Sequence, residues 1–140
     1  MPLIDPSTDF GARVARRLAD ETIGWLVTVD AEGTPQPSPV WYLWDGETIL
    51  IYSNPGAPKL RNIAGNGRVA LHLDGDGRGG DIVVLTGWAQ RDDGAPPATA
   101  VPAYLEKYAD GIARIGMDPE GFAAAFGTAI RMTPERLRGH

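Results

Sequence analysis

Asp45-Gly46 lies between two dense apolar runs, "VWYLW" and "ETILIY", and no other dipeptide constrains the chain as strongly. Asp-Gly between β-prone segments predicts a hairpin, and a type I′ turn is the conformation it suits best. The two runs then become neighbouring antiparallel strands. The rest of the chain repeats the pattern. "IGWLVTV" (23–29), "RVALHLD" (68–74) and "DIVVLTGWAQ" (81–90) alternate and are rich in β-branched and aromatic residues. Eighteen glycines and twelve prolines fall between such runs, where they read as turns.

Helices are predicted at fewer places. Phe10, Val14 and Leu18 recur at every fourth position from Asp9, after a flexible start at 1–8 with Ser7 or Thr8 as the cap. "APKLRNIAG" (57–65) has Pro58 at a first helical position and Gly65 at a stop. Beyond a linker at 91–102, Tyr104, Leu105, Tyr108, Ile112 and Ile115 share one helical face. Asp118-Pro119 opens a further helix, and "TAIRMTPERLRG" (128–139) reads as a last strand. Gly87 marks a bulge in the strand at 81–90. Five or six hairpin-linked strands with flanking helices predict a mainly β fold, a small closed or split antiparallel barrel in a single domain, 1–140.

Composition removes several functions. A net charge of −5 without a basic stripe argues against nucleic-acid binding. The absence of cysteine removes disulfides, thiolate catalysis and cysteine metal sites. No apolar run approaches the ~20 residues of a membrane helix, and no secretory leader is visible, so a cytoplasmic protein is the expectation. His72 and His140 have no metal-binding spacing. Asp74, Asp76 and Asp81 resemble a calcium loop in composition but lack its closing glutamate, and read as turn residues. No metal site and no catalytic acid–base pair is expected.

One stretch carries chemistry. "SNPGAPKLRN" (53–62) ends a strand, turns through two prolines and places Lys59 and Arg61 just beyond. A helix starting near Pro58 turns its free N–H groups and its dipole toward the strand end, which favours an anion. Ser53 adds a hydroxyl exposed by the strand end, Lys59 an ammonium, and Arg61 a planar fork suited to phosphate. Solvated surface cations are the plain alternative. Of the four tryptophans, Trp41 is the candidate for stacking on a ring, while Trp25, Trp44 and Trp88 read as packing.

The ordered series "SPVWYLWDG…TILIYSNPGAPKLRNIAGNGRVALHL" resembles the pyridoxamine-5′-phosphate-oxidase-like flavin-binding split barrels. It is most similar to their actinobacterial branch, which uses the deazaflavin coenzyme F420. The resemblance runs from about Asp20 to Leu73 and continues more weakly to "IRMTPERLRG". It implies that Ser53 and Lys59 hold the cofactor phosphate, with Arg61 assisting, and that Ser38, Pro39, Val40 and Trp41 lie along the ring system. It also implies a homodimer with cofactor sites at the subunit boundary and hydride transfer to a small electron-poor organic substrate. FMN with oxidase or reductase activity is the alternative within this fold. A cofactor-binding protein without turnover is the alternative outside enzymes.

Overall fold

Thr8 sets the start of the first helix, α1 (Asp9–Asp20), by accepting a 2.9 Å hydrogen bond from the Gly11 N–H. The computed structural model describes residues 2–140. Val14 and Leu18 of α1 are fully buried, as the four-residue spacing requires. The expected flexible start is corrected over residues 4–8. Ile4 is buried, and Asp5 accepts hydrogen bonds from Ser7 and Thr8. Met1 lies outside the described residues.

The chain continues through β1 (Gly24–Val29), β2 (Pro35–Val40), β3 (Leu43–Trp44), β4 (Ile49–Ser53), α2 (Pro58–Gly65), β5 (Arg68–His72) and β6 (Val83–Arg91). Then follow a 3-10 turn, α3 (Pro102–Arg114), α4 (Pro119–Ala125) and β7 (Thr128–Gly139). Seven strands, rather than five or six, form one antiparallel sheet in the order β2-β1-β5-β6-β7-β4-β3, curled into a half-barrel. The extra strand comes from the proline-rich run, which the break at Trp41-Tyr42 divides into β2 and β3.

Proline fits β2 because β2 is an edge strand. Pro35, Pro37 and Pro39 stand opposite Val29, Val27 and Trp25 of β1. Proline has no N–H, so the donors to β1 come from Gln36, Ser38 and Val40. The period-two spacing keeps all three prolines out of that role, and it leaves the outer edge short of donors.

The expected β3–β4 hairpin forms, with Trp44 opposite Ile49. Its turn is not type I′. That turn needs two successive positive φ values, and here Gly46 has one (98°) while Asp45 does not. The Asp45 carboxylate shapes the loop instead, accepting from Glu47 N at 2.8 Å and Thr48 N at 2.7 Å. Two other predicted stops are also corrected. Gly65 is the last residue inside α2, and Asn66 ends the helix in an extended conformation. Ile115 leaves the predicted face of α3 and is 48% exposed, because the chain turns at Gly116 (φ 80°). The bulge in β6 falls at Gly87, where the register against β7 shifts.

Two apolar clusters result. Leu26, Ile51, Leu71, Leu85 and Ile130 on the inner sheet face pack with α1. Tyr52, Tyr104, Tyr108, Ile112 and Phe122 form an aromatic cluster around α3 and α4. Tyr52 meets Tyr104 edge-on at 4.9 Å, within the favourable range for aromatic pairs.

Candidate functional site

The helix α2 and the edge strand β2 face each other across a cavity of about 430 Å³. Three elements supply its polar walls. β2 contributes Gln36 and Ser38, α2 contributes Lys59, Arg61 and Asn62, and β1 contributes Thr28. A second cavity of about 600 Å³ shares Asp30, Arg61 and Asn62 with the first and extends along the β1–β2 turn to Glu32 and Asn66.

Lys59 is half-buried, and burial lowers its pKa from the ordinary lysine value. Among the described residues neither Lys59 nor Arg61 forms an ion pair with a carboxylate, although Arg13, Arg17, Arg68, Arg91 and Arg131 all do. The nearby Asp30 is already engaged. It accepts from Glu32 N and Thr34 N at 2.9 Å and from Gln36 Nε2 at 3.0 Å, and these bonds lower its pKa. Ser38 Oγ is shielded from solvent and has no hydrogen-bond partner. Unpartnered buried hydroxyls are uncommon and call for an explanation. Two unpaired cations, one of them partly desolvated, and an orphaned hydroxyl make a donor-rich wall suited to an anion.

The predicted site residues separate into groups. Ser38, Lys59 and Arg61 come together in this cavity. Ser53 does not join them there. It is 3% exposed, its Oγ donates to Asn54 O at 2.9 Å, and it pairs with Thr128 of β7. The expectation that the strand ends to expose Ser53 is therefore corrected: the hydroxyl is spent on its own turn. The N-terminus of α2 also offers less than expected, since Pro58 has no N–H and that of Leu60 goes to Ala57 O at 3.1 Å. Cations on side chains carry the electrostatics instead.

Pro39 and Trp41 lie on the other side of β2. They line a separate pocket of about 290 Å³ with Tyr52, Tyr104, Phe122 and Phe126. Trp41 stacks on Tyr108 with centroids 4.8 Å apart and planes 9° from parallel. Val40 is buried in the barrel cluster. Gln36, Pro37 and Ser38 thus border the polar cavity, while Pro39 borders the aromatic one. Asn62 and Thr28 were not singled out from sequence. Asn62 Nδ2 donates to Thr28 Oγ1 at 3.0 Å, tying α2 to β1 beneath the cations. The only signal for it was the Arg-Asn pair at 61–62.

An antiparallel half-barrel, with an anion-ready cavity between its edge strand and a short helix, defines a class of cofactor-binding barrel. The pyridoxamine 5′-phosphate oxidase family matches this chain over residues 10–140, and the chain belongs to it. Solved structures are similar in fold. An F420 reductase is 24% identical, with 88% of this chain and 94% of that one covered and a TM-score of 0.63. A conserved hypothetical protein of Mycobacterium tuberculosis is 23% identical, with 91% and 81% covered and a TM-score of 0.68. A heme storage protein of Vibrio cholerae is 16% identical, with 94% and 95% covered and a TM-score of 0.65. No curated protein matches the chain in sequence. No helix among the described residues is long and apolar enough to cross a membrane.

Proposed function

We propose that this chain is an oxidoreductase that uses the deazaflavin coenzyme F420 and passes a hydride to a small electron-poor organic substrate. The observation that carries the reading is the wall of Ser38, Lys59 and Arg61, two unpaired cations and an orphaned hydroxyl around one cavity. These residues would hold the cofactor phosphate. The ring would lie along β2 at Pro39, Val40 and Trp41, with Ser53 shaping the turn that presents Lys59.

When bound, the deazaflavin supplies the hydride, and the protein supplies orientation and electrostatics. Lys59 and Arg61 fix the anionic end. The outer edge of β2 has three prolines and so offers mainly carbonyl acceptors to a ring's polar edge. The aromatic pocket at Trp41 keeps water from the opposite face. Arg61 also borders the 600 Å³ cavity, where an acidic tail longer than FMN's would run.

The active unit is proposed to be a homodimer with sites at the boundary. Trp25, Val27, Ala70 and Val84 project outward from β1, β5 and β6 and are only half-buried, and apolar patches of this kind mark interfaces. Titration of the purified protein with F420 and FMN, followed by turnover with whichever binds, tests the reading. Tighter, more salt-sensitive binding of F420 is expected, because its additional charges would be screened. Equal or tighter FMN binding moves the assignment to an FMN enzyme. Binding without turnover leaves a cofactor-binding protein.

A further inference from the structure

The chain has only two lysines, Lys59 and Lys107. All its other cations are arginines. Lys107 lies on α3, away from the cavity at Lys59. Its ammonium is wedged between elements with no carboxylate within ion-pair distance among the described residues. Nζ donates to Tyr42 O at 3.0 Å and toward Leu18 O at 3.4 Å, the latter near the carbonyl end of α1. It stands 3.9 Å from the centre of the Tyr42 ring and 5.3 Å from that of Tyr108. A cavity of about 460 Å³ opens beside it, walled by Leu18, Leu43, Trp44 and Ala103 and bordered by Asp20 and Glu106.

An arginine cannot replace this group. The guanidinium is broader, and it stays charged, whereas a buried lysine can release its proton. Here burial pushes the pKa down to about 8, against the upward pull of Asp20 at the end of α1 and Glu21 just beyond it. The other titratable neighbours are Tyr42 between β2 and β3, and Glu106 and Tyr108 on α3. The amine is therefore released at lower pH than that of a lysine of ordinary pKa.

We propose that Lys107 is a carbonyl-capturing residue that forms an iminium with a small uncharged aldehyde, whose carbon chain occupies the cavity at Leu18, Leu43 and Trp44. The free Nζ lone pair adds to the aldehyde carbon and the C–O π bond opens. After proton transfer the hydroxyl leaves as water, taking up one proton from solvent. The nitrogen lone pair closes the C=N bond, and no oxidant or reductant is consumed. The iminium keeps its positive charge over the Tyr42 ring, where a cation is favoured, and one N–H for Tyr42 O. An amide would lose the charge, so this environment favours capture of aldehydes over acylation. Asp20 and Glu106 at the border disfavour anionic carbonyl compounds.

The test uses the intact wild-type chain, so no variant has to fold. The protein is incubated with butyraldehyde or with the anionic aldehyde glyoxylate, each with cyanoborohydride to trap the iminium, and the label is mapped by peptide mass spectrometry. Butyl label at Lys107 is expected to exceed that at Lys59 by about fivefold or more at pH 7.5, with a half-maximal rate near the pH at which the amine is released. Glyoxylate is expected to label Lys107 about fivefold more slowly than butyraldehyde. Added inorganic phosphate is expected to suppress label at Lys59 alone, which separates this site from the proposed cofactor cavity. Label on Lys59 or the α-amine with Lys107 spared would overturn the proposal, leaving Lys107 as a clamp between α1 and α3. Equal rates for the two aldehydes at Lys107 would also overturn it, since the cavity would then select nothing.

Discussion

The Tyr108 hydroxyl lies 2.8 Å from the backbone N–H of Tyr42 and 2.9 Å from its carbonyl. It also lies 2.8 Å from Thr22 O. One phenol on α3 thus satisfies the buried backbone of Tyr42 between β2 and β3. The neighbouring Tyr104 is equally buried, yet its hydroxyl has no partner. Leaving a buried backbone N–H unsatisfied costs about 1–3 kcal/mol, so Tyr108→Phe is expected to lose about that much or slightly more. Tyr104→Phe removes an orphan and is expected to be neutral or to stabilise by about 1 kcal/mol. Urea unfolding of the two variants checks the contrast, and an equal loss in both would contradict it.

Alkaline stability follows from the same cluster. Burial pushes the pKa values of Tyr42, Tyr104 and Tyr108 well above the ordinary tyrosine value of 10.0. A folded-state pKa raised above the unfolded one gives stability that is fully present below the unfolded value and falls as pH rises beyond it. Stability is therefore expected to drop from about pH 10 upward, because the unfolded chain ionises these phenols and the folded chain resists doing so. Tyr104→Phe should make the decline shallower. An identical alkaline midpoint for wild type and variant would speak against buried, neutral phenols.

Lys59→Ala separates a solvated cation from a phosphate ligand. A charge-assisted hydrogen bond of about 1.5–3 kcal/mol corresponds to roughly tenfold to hundredfold weaker cofactor binding. Folding should survive, since Lys59 belongs to neither core cluster. Ser38→Ala is expected to lose less, and Ser53→Ala least, because the Ser53 hydroxyl is bound to Asn54 O. Lys59→Arg should restore binding only in part, the planar fork replacing a compact charge. Unchanged affinity in a normally folded Lys59→Ala would remove the phosphate reading of this cavity.

Dilute solution should contain dimers. Light scattering at micromolar concentration is expected to give twice the 15.0 kDa mass of the chain. Replacing the outward Val27 and Val84 by lysine should shift the mass toward one chain while leaving the inward-facing Leu26 and Leu85 packed. A monomer in the wild type would undercut sites shared between subunits.

Gly87→Ala tests the bulge in β6. A Cβ at this position would stand 2.1 Å from Thr133 O, inside backbone contact distance. The register shift against β7 brings the two strands that close. The substitution is expected to destabilise by about 2–4 kcal/mol, in the range of severe backbone and packing defects. Gly46→Ala, at the open hairpin tip, should cost only the strain of a positive φ, about 1 kcal/mol. Thermal unfolding that ranks the two the other way would refute the close-approach argument.

The sequence by itself determined the elements and most of their ends. Period-two alternation marked the strands, Ser7-Thr8 and Asp118 marked helix starts, and Asp45-Gly46 marked the hairpin, because these signals act over a few residues. The two cations Lys59 and Arg61 were legible for the same reason, standing two residues apart in one short stretch. Only the tertiary structure decided what surrounds them. Ser38 lies 21 positions before Lys59 and joins it because β2 is the sheet edge facing α2. Ser53 lies six positions away, yet its side chain is buried and bonded to Asn54 O. The prolines of β2 mark it as an edge, but no local pattern records its neighbours, since the order β2-β1-β5-β6-β7-β4-β3 is set by pairing between distant segments. Burial, and with it the protonation of Lys107 and the orphaned hydroxyl of Tyr104, follows from that long-range packing.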